Sequence, residues 1–255
     1  MAHKSHPSYE DYWSHLPAAM NRSDRIPALL TLLERTYPDA HCELDFSNPL
    51  ELLIATILSA QCTDKRVNMV TPALFKRCPT ARDYAEIPQE ELEKIIQSTG
   101  FFRAKAKSIR AACGDIVSKH GGEVPRTMED LHALRGVGRK TANVVLGNAF
   151  GINEGVVVDT HVQRLSDRLG LAKETTPEKI ERDLMKILPQ DKWAIFSHWL
   201  IWHGRRRCFA RKPDCPGCEL KEICPSAGKV NGSGKESPKA AKTAKKVPKA
   251  KTKAK

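Results

Sequence analysis

The sequence predicts an all-α fold built as two helical domains, and three observations carry that reading. Apolar residues recur at helical spacing from about Asp24 to Lys221. Strand-like alternation between turn signals is missing apart from the short Val156-Val157-Val158 run. Several segments also open on helix start signals, such as Ser47-Asn48-Pro49 and Thr176-Pro177-Glu178, each a polar residue followed by a first-turn proline.

Taken in order, the pattern predicts helices over residues 26–36, 49–61, 64–76, 89–98, 103–120, 127–134, 139–150, 160–169, 177–187 and 192–203. The helix from Pro49 carries Leu52, Leu53, Ile54, Ile57 and Leu58, and the one from Arg139 carries Val144, Val145, Leu146, Ala149 and Phe150. Both are apolar around most of their circumference, which places them centrally in a bundle. The connection from Gly151 to Gly155, with two glycines and an asparagine, is the best internal boundary between the two domains. Residues 1–23 read as a loosely ordered N-terminus. Beyond Pro225 the composition turns to Lys, Ala, Pro, Gly and Ser with no large apolar residue, so residues 228–255 read as a disordered basic tail.

A chain of 255 residues is long enough to bury a sizeable core. No apolar run approaches the roughly 18 residues of a membrane span, and the polar first residues do not read as a secretory signal, so a soluble, cytoplasmic, nucleoid-associated protein is expected. The net charge of +12 is uneven: residues 229–255 hold ten Lys and one Glu, a balance of +9, which leaves +3 for the rest. Such a balance favours polyanion partners without choosing between DNA, RNA and acidic membranes. Of eight cysteines, Cys42, Cys62, Cys78 and Cys113 are scattered through helical sequence and read as small buried hydrophobes. Cys208, Cys215, Cys218 and Cys224 are clustered and need another explanation.

Four thiolates spaced x6, x2 and x5 on short irregular loops can converge on one soft metal centre, and the spacing alone fits zinc or an iron–sulfur cluster equally. Arg205, Arg206, Arg207, Arg211 and Lys212 lie inside or just before this loop; they suit phosphate contact, or simply form a solvated charged face. A second signal is Arg135-Gly136-Val137-Gly138-Arg139-Lys140-Thr141 between two predicted helices. Two glycines one residue apart allow a tight hairpin, and the free N–H groups of the following helix suit a phosphate. The default for a lone Gly-x-Gly is an ordinary junction; the cations that follow favour DNA-backbone binding. The third signal is Val158-Asp159-Thr160-His161, where Asp159 stands at a helix N-cap and by itself needs no further role.

The hairpin from Gly136 to Val145, the Val158-Asp159-Thr160-His161 segment, the stretch Leu58-Ser59-Ala60-Gln61-Cys62-Thr63-Asp64 and the cysteine spacing together resemble the endonuclease III family of helix-hairpin-helix DNA glycosylases. The resemblance covers about residues 24–226. It implies a [4Fe-4S] cluster on Cys208, Cys215, Cys218 and Cys224. It also implies a helical-bundle domain over 42–152 with the helix-hairpin-helix at about 127–147, and a cluster domain from 24–41 plus 153–227.

By the same resemblance, Lys140 is the nucleophilic amine and Asp159 its partner carboxylate. Gly136, Val137, Gly138, Arg139 and Thr141 belong to the element that grips the strand's phosphates. Gln61 fills the gap left by an extruded nucleotide, and Phe101 stands where a wedge residue, commonly aliphatic, enters the stack. Arg135 departs from the usual proline, and one extra residue lies between Lys140 and Asp159. The implied partner is double-stranded DNA with damaged bases, oxidised pyrimidines above all, or abasic sites, bound by a monomer. Two rivals are distinguishable: an adenine-mismatch glycosylase typically lacks this lysine and adds a C-terminal recognition domain, and a non-catalytic cluster protein would bind DNA but leave an abasic site uncut.

Overall fold

The computed structural model describes residues 22–229, and within them the chain is helical, with no strand. The readings of a loose N-terminus and a disordered basic tail fall almost wholly outside the described residues. Eleven α-helices run in order among those residues: α1 (Arg22–Thr36), α2 (Pro49–Leu58), α3 (Asp64–Arg77), α4 (Ala81–Glu86), α5 (Gln89–Ile96), α6 (Phe102–Lys119), α7 (Met128–Ala133), α8 (Arg139–Ala149), α9 (Thr160–Arg168), α10 (Pro177–Met185) and α11 (Trp193–Arg206). Short 3-10 turns cover Gln97–Thr99, Gln190–Lys192 and Lys221–Ile223.

Local chemistry sets most of the starts. Asn48 caps α2 by accepting from the Glu51 N–H at 2.9 Å, while the Glu51 carboxylate reaches back to the Ser47 N–H at 2.6 Å. Thr63 and Thr127 cap α3 and α7 through their hydroxyls. Helix α4 is absent from the sequence-based expectation. It has only six residues and no long apolar stripe, and its signal is the reciprocal Thr80–Asp83 capping box. Helix α2 ends at Leu58, not at Gln61, because Gln61 turns left-handed at φ 54°. The Val156-Val157-Val158 run is buried but pairs with no strand.

Two apolar cores form. The first gathers side chains from Leu44 to Leu146, with α2 fully buried on most sides against α8 and α6. The second joins α1 to the segment after Gly155, bringing Leu29 and Leu33 together with Val158, Leu165, Phe196 and Leu200. Arg205 on α11 spans from one to the other, pairing with Asp64 at 2.8 Å and with Glu43.

Candidate active site

The hairpin between α7 and α8 is held from three sides. Val137 is only 5 % exposed and its N–H is donated to the Leu134 carbonyl at 3.1 Å, so it anchors the turn in the first core. Gly136 has φ +82°, and a Cβ there would lie 2.6 Å from Ser108 Cβ on α6, so glycine is required both by backbone and by packing. Arg135 is paired at 3.3 Å with Asp115 of α6, which Lys119 also engages at 3.0 Å. Arg135 therefore ties the hairpin to α6.

Gly138 is the N-cap of α8 and brings no side-chain cap, so the N–H groups of the first turn are left for an external acceptor. Lys140, the second residue of that helix, is exposed and makes no ion pair among the described residues. Thr141 is half-buried. Arg139 is not a free cation: its guanidinium clasps Glu181 of α10 at 2.9 and 3.0 Å. Glu181 is 5 % exposed and also accepts from Asn143 Nδ2 at 2.8 Å. A Cβ on Gly155 would stand 2.0 Å from Glu181 Oε1, so the connection between the two cores runs hard against this cluster.

Asp159 caps α9 with one oxygen. Its Oδ1 accepts from the His161 and Val162 N–H groups, both at 2.8 Å, while Oδ2 takes no hydrogen bond among the described residues. Helix α11 comes close beside it, since a Cβ on Gly204 would lie 2.7 Å from His161 Nδ1 and 2.9 Å from the Arg164 guanidinium. Burial, opposed by the Asp159 charge, holds the His161 imidazole pKa below its ordinary value. His198 of α11 donates to Asn148 of α8 at 2.7 Å, and burial lowers its pKa to about 4. The helices carrying Lys140 and Asp159 are thus both braced on α11.

Gln61 and Phe101 share an unusual backbone. With φ 54° and 48° they are left-handed non-glycine residues, and both are exposed, Phe101 by 67 %. The third such residue among those described is Lys212, in the cysteine loop.

The four clustered cysteines line a single cavity, whose floor includes Leu165 and Leu169. Burial pushes the Cys218 thiol up to about 12 and raises that of Cys224. Arg168 donates to Cys208 Sγ at 3.2 Å and to the carbonyls of Phe209 and Ala210 at 2.7 and 3.0 Å. Arg164 donates to the carbonyls of Gly204 and Cys208. Two arginines of the Asp159 helix thereby set the shape of the cysteine loop. Among the described residues no group of three or more His, Cys, Asp or Glu side chains is placed to hold a single metal ion.

Sequence reasoning missed Glu181 and Asn143. The available signal was an acidic residue beside the apolar stripe of α10, between Ile180 and Leu184, where a buried carboxylate demands a cation.

Comparison with known proteins agrees with this architecture. Residues 54–190 match the model of the HhH-GPD superfamily of base excision DNA repair proteins. An endonuclease III from Synechocystis sp. is 58 % identical over 207 residues, 81 % of this chain and 94 % of that protein. A solved non-covalent endonuclease III–DNA complex superposes with a TM-score of 0.78 at 46 % identity, covering 82 % of this chain and 98 % of that one. A trapped endonuclease III–DNA covalent intermediate superposes with the same TM-score and identity, covering 82 % and 99 %. The chain belongs to the HhH-GPD superfamily of base excision DNA repair proteins, in its endonuclease III branch. It is a DNA glycosylase with abasic-site lyase activity, and its partner is DNA. No helix of the described residues is long and apolar enough to cross a membrane.

Proposed function

We propose that Lys140 is the amine that attacks the sugar and that Asp159 assists it, on DNA whose damaged base, an oxidised pyrimidine by preference, has been swung out of the helix. The observation that carries this is the divided use of Asp159, with Oδ1 spent on the α9 cap and Oδ2 left open. Lys140 supports it from the other side, as an exposed amine without a carboxylate partner on the first turn after the hairpin. A relative of this chain has been captured as a covalent DNA intermediate, which agrees with an enzyme nucleophile.

The steps follow from this pair. A deprotonated Lys140 Nζ bonds to C1′ as the bond from C1′ to the base nitrogen breaks, and the base leaves with that electron pair and takes up a proton. Asp159 accepts the proton lost from the amine or stabilises the positive charge developing on the sugar. The nitrogen lone pair then expels O4′, which takes up a proton as the sugar ring opens, and the resulting iminium acidifies C2′, whose proton is removed as the bond from C3′ to the 3′ phosphate oxygen breaks. Water then releases the lysine. The uncapped first turn of α8, Gly136 and Gly138 hold the backbone phosphates, with Val137 acting as an anchor in the core and Arg139 as a tie to Glu181. Gln61 plugs the vacated space and Phe101 wedges the stack.

Cys208, Cys215, Cys218 and Cys224 fit a [4Fe-4S] cluster. They share one cavity, burial raises the thiols of Cys218 and Cys224 so that a positive centre is needed to hold them as thiolates, and Arg168 already donates to the sulfur of Cys208. When bound, such a cluster cross-links four positions of the loop and supplies no step of base release. Iron analysis of the purified protein should return about four irons per chain; one zinc and no iron contradicts the assignment. A borohydride-trapping panel on duplexes with different damaged bases tests the lesion class. Strongest trapping on oxidised pyrimidines is expected, and equal trapping on undamaged duplex refutes it.

A further inference from the structure

The side chain of Lys105, on α6, is buried at 5 % exposure and has no carboxylate partner among the described residues. Its Nζ donates to two backbone carbonyls, Leu58 O and Thr99 O, each at 2.8 Å. Leu58 is the last residue of α2 and Thr99 the last of the 3-10 turn that ends α5. Their carbonyls are orphan acceptors at the negative ends of two helices, the natural seat of a cation. Burying an ammonium against neutral groups alone is nonetheless costly, and an apolar side chain would fill the same space more cheaply.

The residues just beyond each carbonyl supply the reason. Three positions after Leu58 stands Gln61, and two after Thr99 stands Phe101. These are two of the three left-handed non-glycine residues described, and both are exposed. One nitrogen thus grips the roots of both tips and fixes the distance between them. We infer that Lys105 is a positioning residue that sets the spacing of Gln61 and Phe101, so that plug and wedge enter the DNA stack as one unit. The inference rests on the reading of Gln61 and Phe101 as the intercalating pair.

The test compares Lys105→Met with Gln61→Ala and Phe101→Ala, singly and in combination, in the holoenzyme. Two substrates are used: an abasic site in duplex DNA with 2-aminopurine opposite it, and an abasic site in a single strand, where nothing has to be unstacked. Lys105→Met is expected to lower kcat/KM on the duplex about tenfold or more, the scale of a lost charge-assisted hydrogen bond. It should also reduce the 2-aminopurine signal of unstacking, and leave single-strand cleavage within about twofold, a change of about 0.4 kcal/mol in barrier. Because the three residues act together, adding Gln61→Ala or Phe101→Ala to Lys105→Met should cost less than in the wild type. Equal losses on both substrates, or strict additivity, overturn the staple while leaving the two tips in place. If Gln61→Ala and Phe101→Ala are themselves silent on the duplex, the reading of the tips fails and the inference with it. Should Lys105→Met not fold, Lys105→Gln, which keeps two donors without the charge, is put through the same comparison. A duplex-specific loss supports the staple, and a substrate-independent one overturns it.

Discussion

Replacing Gly155 by alanine adds one methyl group at the most crowded point of the connection between the two cores. The new Cβ would lie 2.0 Å from Glu181 Oε1 and 2.6 Å from Asn143 Nδ2. The clash is with a carboxylate that cannot step aside freely, because Arg139 holds it at 2.9 and 3.0 Å and Asn143 at 2.8 Å. Overpacking of this kind costs about 1–3 kcal/mol. Displacing the carboxylate also weakens its charge-assisted bonds, each worth about 1.5–3 kcal/mol. The Arg139 side chain is 43 % exposed, so solvent screens that pair and only part of the second cost applies. The two together come to about 2–4 kcal/mol, which for a chain of this size lowers Tm by roughly 5–15 °C. The assay is thermal unfolding of Gly155→Ala in the wild type and in a Glu181→Ala background. In the second background the carboxylate is gone and Asn143, 2.6 Å from the new Cβ, loses the bond that fixed its amide, so the amide can turn aside and the added methyl should cost about half as much or less. An equal cost in both backgrounds, or no cost in either, refutes the reasoning.

Two further predictions concern the site. Asp159→Asn keeps an oxygen that can accept from the His161 and Val162 N–H groups, so Tm should hold, whereas Asp159→Ala should lose about 1 kcal/mol of cap stability. Base release should slow by about a hundredfold or more in the asparagine variant, and unchanged release in a quench-flow assay contradicts a chemical role for Asp159. His198 is held neutral, with its pKa lowered to about 4 by burial. The unfolded chain therefore binds a proton that the folded one does not between about pH 6.5 and pH 4, and stability falls as pH drops through that window. His198→Asn should flatten denaturant-derived stability by up to about 1.4 kcal/mol per pH unit there; an unchanged slope contradicts the assignment.

The helices and the core were legible in the sequence where periodicity is long. The buried sides of α2 and α8 are marked by runs such as Leu52, Leu53 and Ile54, and the start of α2 by the Ser47-Asn48-Pro49 signal. Short elements were less legible: α4 rests on one capping box, and the left-handed turn at Gln61 stopped α2 earlier than its apolar pattern implied. The site was legible as motif but not as network. Gly-Val-Gly marked the hairpin, yet nothing local says that Arg139 pairs with Glu181, 42 residues on, or that Lys105 reaches Leu58 O, 47 residues back. Such long-range polar ties depend on which faces the fold apposes, and a single sequence carries no periodic signal for them.

The central claim is that Lys140 is the covalent nucleophile and not a phosphate clamp, and borohydride trapping of Lys140→Gln on lesion-bearing duplex tests it most directly. Removing a clamp weakens binding and leaves bound-state chemistry intact; removing the nucleophile does the reverse. The variant should bind the duplex to within about tenfold of the wild type, about 1.4 kcal/mol, and give no trapped adduct and no strand cleavage. A trapped adduct from Lys140→Gln would show that another amine attacks the sugar, and lost binding with undiminished chemistry on the bound DNA would make Lys140 the clamp.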